Sequence, residues 1–576
     1  MLRFSPRPNR AHLVKWREWG EEAFQEARQQ DKPVAMFLTA FWCGYCQRMD
    51  ETSLSHDEVQ ALLNAFFIPM RVEESQRPDV DLRYNQNGWP TIAFLTPTGE
   101  HLLSVNYTAP EPLITLLVRL VDAYQRDKAT LLVSAAQQRA DAMARQSEEA
   151  PAPLGAPIVA EIAGMIEGLA DPVHGGYGAQ FKFLHTEAND FLLYLFEVTG
   201  TSSYLEHVQF TLEKMRHSRT FDANDGGFFR YSSRPDWQEP HPEKLLDDQA
   251  ALLRTYLRTY LLTDQPFYRE TAEGLVDYLN ATLSHGTTAC FFGCQDYVRP
   301  ELDRSASRQG PPPLLSLIDE LVYCDANART ASAYLDAWWL LGREDCKVRA
   351  RQVLEQLWST LRVPGVGMYH YADGEPHVPG LLMDSVMTGL AFLDAYAVCG
   401  EPLYLEHARE LGEDIGRHHR HAAGGWCDIS ATGPAHLQVP VTVLTQNANA
   451  AGFFVRLADL SGDVAYRKMA HWALKRFPNS HRQHEAFAAG FGHALGRLLA
   501  LPLRVTINGR PGTPAVRSLA RAALTQLHHG DVVLQFQADR AGRTASATVH
   551  SGDRWSDPVT DPASLSPALA TMLHRT

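Results

Sequence analysis

Short apolar runs alternate with polar helical stretches over the first 125 residues. Residues 33–40 form an uninterrupted apolar run of the kind that suits a buried strand. Similar runs occur at 66–72 and 91–95, and the turn-forming residues 97–100 follow the last of them. A helical pattern begins at Gln47, after the first run. This order predicts a β-α-β unit followed by a β-hairpin in a domain spanning residues 1–125.

From residue 158 to residue 500, the apolar positions have a helical period and the pattern repeats. In each repeat, a first helix that is apolar on most faces precedes a second helix that alternates apolar and charged residues, which predicts an inner and an outer ring of helices. The predicted helical hairpins are Asn189–Met215, Asp247–Leu279, Asp325–Leu357, Asp384–Ile415 and Asn447–Phe477, with a less regular sixth at His484–Leu499. Six hairpins predict a closed (α/α)6 toroid. An open protein-binding solenoid is the alternative, but spacings of roughly 60 to 80 residues exceed those typical of such arrays.

Two further segments complete the predicted organisation of the chain. Residues 126–157 are polar and Ala-rich before they become Pro-rich, which predicts a linker helix and a stiff connection. Residues 501–576 contain strand-like alternations at 503–507 and 532–536 around a helical stretch, which predicts a small α/β appendage. The predicted fold class is therefore multidomain, with an α/β domain followed by an all-α toroid and this appendage.

Composition narrows the classes of function. The 576 residues are 45% hydrophobic and 21% charged, which is ordinary for a globular protein. A formal net charge of -14 opposes binding to a polyanion, so we predict no nucleic-acid partner. The apolar stretches are too short for a signal peptide or a membrane span, so we expect no membrane partner and a cytoplasmic location. Eight cysteines are too few for a disulfide framework, so close pairs are redox or metal candidates.

The pair Cys43-Gly-Tyr-Cys46 lies between a predicted strand and a predicted helix. A thiol at a helix N-terminus is stabilised as the thiolate, so Cys43 is the predicted nucleophile and Cys46 the resolving thiol. Trp42 and Pro90, a candidate cis-proline, are expected to shape this redox site. One alternative is half of a zinc site completed by Cys290 and Cys294; another is a pair of vestigial thiols. We predict no resident metal or cofactor.

Glycine turns followed by aromatic residues precede several of the predicted inner helices. Aromatic faces around the mouth of a toroid suit a polyhydroxylated ring, so we predict a carbohydrate-like small-molecule ligand. The alternative is that these aromatic side chains only plug the barrel. The predicted ligand-binding residues are Tyr177, Phe228, Arg230, Tyr231, Trp237, Lys244, Tyr369, Trp426 and Asn449.

The densest group of ionisable residues is His241–Asp248, and its members with Asp384 are candidate acids and bases of the toroid. On a helix, Glu243 and Asp247 would share a face, as would Lys244 and Asp248. Paired carboxylates suit acid–base work. The candidate catalytic residues of the toroid are His241, Glu243, Asp247, Asp248 and Asp384. Helix capping is the alternative role for the aspartates, because other repeats also begin with Asp or Asn.

Several motifs in order resemble one known family. These are Phe41–Cys46, Met49, Glu51, Arg77–Asp81, Gly88–Thr91 and Phe94–Pro97, followed in the toroid by Phe229–Ser232, Trp237 and His241–Ala250. They resemble the spermatogenesis-associated protein 20 / YyaL-like proteins. The resemblance implies a thioredoxin-like domain fused to a six-hairpin glycosidase-like toroid, a scaffold that sugar epimerases share. Phe37 stands where ordinary thioredoxins have a buried carboxylate.

Three hypotheses about function follow. In the first, Cys43 and Cys46 exchange disulfides with a protein thiol partner, and the toroid holds a polar or sugar-like ligand. In the second, the toroid is a carbohydrate-active enzyme of the epimerase or glycosidase type. In the third, the chain is a non-catalytic binding or docking protein.

Overall fold

The structure is a computed structural model that describes residues 2–147, 153–298, 315–528, 531–537, 544–551 and 554–573. The predicted Pro-rich connection lies partly outside these residues. The chain divides into two compact units. Unit 1 comprises Met1–Ala150 with Ile429–Val441, and unit 2 comprises Pro151–Asp428 with Thr442–Thr576.

Unit 1 is a four-stranded sheet with helices, as predicted. The strands lie in the order β2-β1-β3-β4, with β1 parallel to β2 and antiparallel to β3. Its elements are α1 (Glu21–Gln30), β1 (Val34–Thr39), α2 (Gly44–Glu51), α3 (Asp57–Phe66), β2 (Ile68–Glu73), α4 (Pro78–Tyr84), β3 (Thr91–Leu95), β4 (His101–Val105) and α5 (Pro110–Ser147). Strands β1 and β2 are buried along their whole length, which explains their continuous apolar runs.

Helix α5 is long and is interrupted by a kink. The backbone of Asp127 leaves helical geometry, with φ of -121° and ψ of 22°. The sequence-based boundary between residues 125 and 126 falls inside this helix, next to the kink. The predicted linker helix therefore continues the last helix of unit 1.

Unit 2 is built mainly of paired helices. In chain order these are α6 (Ala156–Leu169), α7 (Thr186–Thr199), α8 (Ser202–Arg216), α9 (Leu246–Thr263), α10 (Pro266–Thr282), α11 (Cys324–Leu341), α12 (Glu344–Leu361), α13 (Leu382–Cys399), α14 (Pro402–His418), α15 (Leu444–Ser461), α16 (Ala465–Leu474) and α17 (Ala489–Leu499). Helices α7, α9, α11, α13, α15 and α17 pack side by side, and α17 returns to α7. This closed inner ring confirms the predicted toroid and excludes the open solenoid.

The outer helices are more exposed than the inner ones, as the apolar pattern indicated. In α11, 14 of 18 residues are buried, whereas in α12 only 6 of 18 are. Five hairpins are consecutive in the chain, but the sixth is not: the outer partner of α17 is α6, from the start of the unit. The ring is thus closed by the first and last helices of the toroid.

Each consecutive hairpin turns at a residue with left-handed backbone geometry. At four of the five turns this residue is glycine, for example Gly342 with φ of 77°, and at the fifth it is Asp264 with φ of 61°. A left-handed residue lets the backbone satisfy the last helical carbonyls, and glycine adopts this geometry without steric cost. The Thr-Gly, Leu-Gly, Cys-Gly and Ser-Gly pairs therefore end the inner helices.

Short strands precede the inner helices and form small sheets at one end of the toroid. They are β5 (Lys182–Phe183), β6 (Tyr231–Ser232), β7 (Lys244–Leu245), β8 (Cys294–Val298), β9 (Leu315–Asp319), β10 (Val322–Tyr323), β11 (Arg362–Val363), β12 (Gly367–Ala372) and β13 (Pro376–Pro379). Because they lead into the N-termini of the inner helices, this end is called the mouth below.

The C-terminal part forms the predicted small α/β appendage within unit 2. Strand β14 (Pro502–Asn508), α18 (Pro514–Gln526) and β15 (Asp531–Gln537) make a β-α-β unit with parallel strands. Strands β16 (Ser546–Ser551) and β17 (Arg554–Trp555) extend the sheet, and α19 (Leu565–Leu573) packs on it.

Among the described residues, one helix is long and apolar enough to cross a membrane by length and composition, namely α13. Its apolar window is 78% buried inside the structure. Its place in the inner ring accounts for that composition.

Candidate functional site

The two cysteines of unit 1 lie where β1 passes into α2. Cys43 occupies the N-cap position of α2, and its Sγ accepts a hydrogen bond from the backbone N–H of Cys46 at 3.1 Å. The two cysteines are joined by a disulfide. Cys43 is 7% exposed and Cys46 is 1% exposed, so the first is the more accessible sulfur. A sulfur that accepts a backbone N–H at a helix N-terminus is stabilised as an anion once the pair is reduced.

Aromatic side chains surround this disulfide. The rings of Trp42 and Trp89 meet edge to face at 5.2 Å, and the peptide bond between Trp89 and Pro90 is cis. Tyr45, between the cysteines, is 56% exposed and packs on Tyr107. The structure therefore brings all four predicted redox-site residues into one local region.

A half-buried carboxylate holds Trp89 in place. Asp81 accepts a hydrogen bond from Trp89 Nε1 at 2.9 Å and others from the Asn85 amide. Burial raises the pKa of Asp81 to about 6, against the opposing effect of these hydrogen bonds. The sequence analysis assigned no role to Asp81, although its motif carried the family resemblance.

Phe37 lies against a buried ion pair. Arg71 forms two hydrogen bonds of 2.8 Å with Asp50, and its guanidinium lies 4.8 Å from the centre of the Phe37 ring. A phenyl ring on β1 thus provides a stacking surface for the arginine on β2, whereas a carboxylate would add a charge there.

Unit 2 has a cavity of about 420 Å³ inside its inner ring. Carboxylates and guanidinium groups line it and pair across neighbouring helices. Arg254 contacts Asp336 at 2.8 Å and Asp394 at 3.5 Å, and Arg258 binds Glu197 through two nitrogens. Pairs of this kind fix a polar wall that would hydrogen-bond a polar ligand.

The C-terminal appendage covers one end of this cavity. Its lining there includes Leu524 of α18 and Val532, Val533, Leu534 and Phe536 of β15. The Phe536 ring packs on Trp339 at 4.6 Å, near the end of α11. A ligand would therefore enter from the mouth.

Carboxylates occupy the first turns of four inner helices at the mouth. We call this set the acidic ring: Glu187 of α7, Asp247 and Asp248 of α9, Asp325 of α11 and Asp384 of α13. The positive ends of the helix dipoles favour anions there. The sequence analysis singled out Asp247, Asp248 and Asp384 as candidate acids and bases. Glu187 and Asp325 join them only because closure of the ring brings the first turns of α7 and α11 to the same end of the toroid.

Asp247 and Asp248 have shifted acidities. Asp247 is exposed in the first turn of α9, and it is not among the residues that line the cavity. Desolvation by the surrounding protein raises its pKa, while the charge of Arg329 opposes the rise. The pKa of Asp248 is raised well above its usual range by burial and by the charge of Asp247. Both pKa values are thus raised, and the charge of Asp247 adds to the rise at Asp248.

The predicted pairing of Glu243 with Asp247 and Lys244 with Asp248 was wrong. Helix α9 begins at Leu246, so Glu243 and Lys244 precede it and share no helical face with the aspartates. Buried Glu243 lies 3.5 Å from Arg230, and burial raises its pKa. His241 instead stacks on Tyr231, at 4.0 Å between ring centres.

Lys244 is part of a repeated structural clamp. Its Nζ lies 2.6 Å from Asp222 and 2.7 Å from the Gly226 carbonyl. In the preceding repeat, Lys182 makes the same contacts, at 2.8 Å to Asp171 and 2.6 Å to the Gly178 carbonyl. Because both lysines close glycine turns in this way, Lys244 is held away from a ligand.

Most of the predicted aromatic rim is buried. Tyr177, Phe228, Trp237 and Trp426 are at most 2% exposed, and none of them lines the cavity. Tyr369 of β12 is half-buried and packs against the hydrophobic core. Of the predicted ligand-binding residues, Asn449 lies in the cavity wall. These four rings therefore belong to the hydrophobic core of the toroid, where they neither form a rim nor plug the cavity.

Side-chain amides of the inner helices anchor these glycine-aromatic turns. Asn447 accepts the Trp426 N–H at 2.6 Å and donates to the Trp426 carbonyl at 2.9 Å. Gln249 does the same for Phe228, and Asn327 for Phe291. The aspartates are not N-cap residues, because Leu245, Tyr323 and Leu381 hold those positions; Asp325 instead accepts the N–H of Ala326 at 2.8 Å within the first turn of α11. Among the polar residues near the start of the inner helices, the amides therefore anchor the glycine-aromatic turns, whereas the aspartates belong to the acidic ring.

One histidine joins the acidic ring. His370 of β12 lies with its Nδ1 3.0 Å from Asp384 Oδ1, and burial raises the pKa of Asp384 to about 6. One ligand atom from each of Asp325, His370 and Asp384 lies within 4.8 Å of the other two. No pattern in the sequence linked His370 to Asp384, which follows it by 14 residues.

Comparisons with known proteins agree with the division of the chain. Residues 7–144 match the family model described as "Thioredox_DsbH: Protein of unknown function, DUF255". Spermatogenesis-associated protein 20 of Mus musculus is 30% identical over 310 residues, and that of Rattus norvegicus is 28% identical over 309 residues. Each alignment covers 50% of this chain and 39% of the relative, so the chain spans about two fifths of their length. The predicted resemblance is confirmed.

Solved structures similar to the chain include a sugar epimerase and a glycoside hydrolase. A sugar epimerase from a ruminal bacterium has a TM-score of 0.46 and 15% identity, covering 56% of this chain and 87% of its own. A family 76 glycoside hydrolase from a bovine Bacteroides thetaiotaomicron strain has a TM-score of 0.43 and 11% identity, covering 59% of this chain and 76% of its own.

Proposed function

For a chain with a thioredoxin-like unit and a closed helical toroid, we propose thiol–disulfide exchange at Cys43 and Cys46 as the function, with the toroid holding a polar or sugar-like ligand. The observation that carries the redox proposal is the Cys43 sulfur at the N-terminus of α2, 3.1 Å from the Cys46 N–H. The match of residues 7–144 to a thioredoxin-type family model supports it.

The proposed exchange starts from the reduced pair. The Cys43 thiolate attacks one sulfur of a substrate disulfide, a mixed disulfide forms, and the other substrate sulfur leaves as a thiolate that takes up a proton. Cys46 then loses its proton and attacks the Cys43 sulfur, which releases the second substrate thiol. Two electrons pass to the substrate, the Cys43–Cys46 disulfide forms, and an external dithiol must reduce it again.

The rate of Cys43 alkylation against pH tests this proposal. We expect the reduced Cys46→Ser variant to react with an apparent pKa below the value of about 8.5 of a free cysteine. Two buried cysteines of unit 2 are internal controls, because burial raises the pKa of both Cys290 and Cys346 to about 12. Cys43→Ser should remove the fast-reacting thiol. An apparent pKa at or above that of free cysteine would refute the proposal.

A second candidate function is acid–base catalysis on a polar ligand in the toroid. Asp247 and Asp248 favour it, because they are adjacent carboxylates in the first turn of α9 and the charge of Asp247 contributes to the raised pKa of Asp248. Saturation-transfer NMR with a panel of mono- and disaccharides tests ligand binding, and the appearance of epimerised or hydrolysed sugar tests catalysis. Asp248→Asn should abolish turnover while binding remains. Binding without turnover in the wild type would indicate a binding protein.

A further inference from the structure

Three side chains at the mouth converge from neighbouring elements of the ring. Asp325 belongs to the first turn of α11, Asp384 to the first turn of α13, and His370 to β12. His370 is 6% exposed and Asp384 is fully buried, while Asp325 is partly exposed. The proposed disulfide exchange takes place in the other unit and uses none of them.

The backbone fixes this convergence. Strand β10 leads directly into α11, and its Tyr323 pairs with Tyr371 of β12. Strand β12 pairs in turn with β13, which precedes α13. His370 therefore lies on a strand tied to the starts of both helices, and α11 packs directly on α13. Ligands on such rigid elements keep their geometry.

The chemistry of the three groups suits a cation. Two carboxylates and an imidazole are the oxygen and nitrogen donors that divalent first-row transition metals accept. His370 Nδ1 and Asp384 Oδ1 are 3.0 Å apart, and adjacent ligands at about 2.1 Å from an ion are separated by about 3 Å. Within the cluster, all three ligand atoms lie within 4.8 Å of each other.

The charge of the surroundings also favours a cation. The first turn of α9, which packs directly on α11, carries two more carboxylates, Asp247 and Asp248. Because Asp325 is partly exposed, a bound ion would keep a position open for water or a ligand.

We propose that Asp325, His370 and Asp384 bind a divalent first-row transition-metal ion at the mouth of the toroid. The site is independent of the Cys43–Cys46 pair. A second histidine–aspartate pair lies nearby and lacks a third ligand: His377 Nε2 lies 2.8 Å from Asp373 Oδ1, and the two side chains are 37% and 32% exposed. Within the described residues, this pair belongs to no such cluster, so it serves as a comparison.

Calorimetric titration of Zn²⁺ into the full chain tests the proposal, after chelator treatment and with the Cys43–Cys46 disulfide intact so that the Cys43 thiolate does not compete. We expect one saturable site in the wild type. Asp325→Asn and His370→Gln should each weaken it about tenfold or more. Asp373→Asn, the matched control, should leave it unchanged.

Two results would overturn the proposal: no saturable Zn²⁺ binding in the wild type, or equal affinity in the wild type and Asp325→Asn. Thermal unfolding of each variant without metal verifies folding. Because Asp325 is partly exposed, its variant decides the question even if His370→Gln does not fold. The Mn²⁺ spin-resonance signal, which falls as the free ion binds, gives a second readout that does not depend on heat of binding.

Discussion

Asp81 places a titrating group next to the redox site. Its folded pKa of about 6 lies above the value of about 3.9 expected in the unfolded chain, because burial disfavours the charge. Between these values the folded state binds more protons, so its contribution to stability is full below about pH 4 and is lost as the pH rises through about 6.

We therefore expect Asp81→Asn to reduce the loss of stability between about pH 4 and about pH 7. An asparagine oxygen can still accept the Trp89 Nε1 hydrogen bond, so the tryptophan should keep its position. Urea unfolding followed by tryptophan fluorescence at both pH values measures the effect. If the variant and the wild type show the same pH dependence, Asp81 does not titrate as described.

At the scale of single elements, the glycine-aromatic turns depend on one amide each. Asn447→Ala would leave both the N–H and the carbonyl of buried Trp426 without their side-chain partner. We expect a loss of about 2–4 kcal/mol in the free energy of unfolding of unit 2. Asn449→Ala is the matched control, because Asn449 bonds only the Thr445 carbonyl of its own helix. Urea unfolding measures the free energy of both variants. Equal losses of stability would show that contacts other than the Asn447 amide hold the turn.

These turns also show what the sequence can predict. The order of strand, cysteine pair and helix is local, so the site around Cys43 could be predicted from adjacent residues. The five consecutive hairpins could also be predicted, because each turn lies between two periodic helices. The orientation of Trp426 could not, because its amide partner is 21 residues away and a glycine followed by an aromatic suits both a rim and a plug.

The acidic ring shows a second limit of what can be predicted from the sequence. Glu243 and Asp247 are four residues apart, as on one face of a helix, yet α9 begins between them. When the start of a helix is placed one turn too early, every residue in that turn is assigned to a helical face on which it does not lie. Asp325, His370 and Asp384 meet only because β10 and β12 pair across the mouth. That register follows from ring closure, which no local pattern encodes.

At the scale of the whole molecule, small residues on α17 allow the ring to close. A Cβ on Gly492 would lie 2.9 Å from Phe191 of α7 and 3.0 Å from Ile162 of α6. A Cβ on Gly452, in inner helix α15, would meet no atom within 4 Å. Both changes to alanine gain the same helix propensity, so their difference isolates the packing at the closure.

We expect Gly492→Ala to be less stable than Gly452→Ala by about 1–3 kcal/mol. Calorimetry of the full chain should show the shift in the transition of unit 2. Equal midpoints for the two variants would mean that the helices at the closure move apart without cost.

Closure between the first and last helices has a consequence during protein synthesis. Helix α6 leaves the ribosome about 320 residues before α17, its ring partner, which at roughly 5–20 residues per second is a delay of roughly 15–60 s. For that time the apolar face of the nascent α6, with Ile162 and Ile166, lacks its native neighbour. The growing chain is therefore most in need of a chaperone while its hairpins form an open arc, and release of the last helix ends that need.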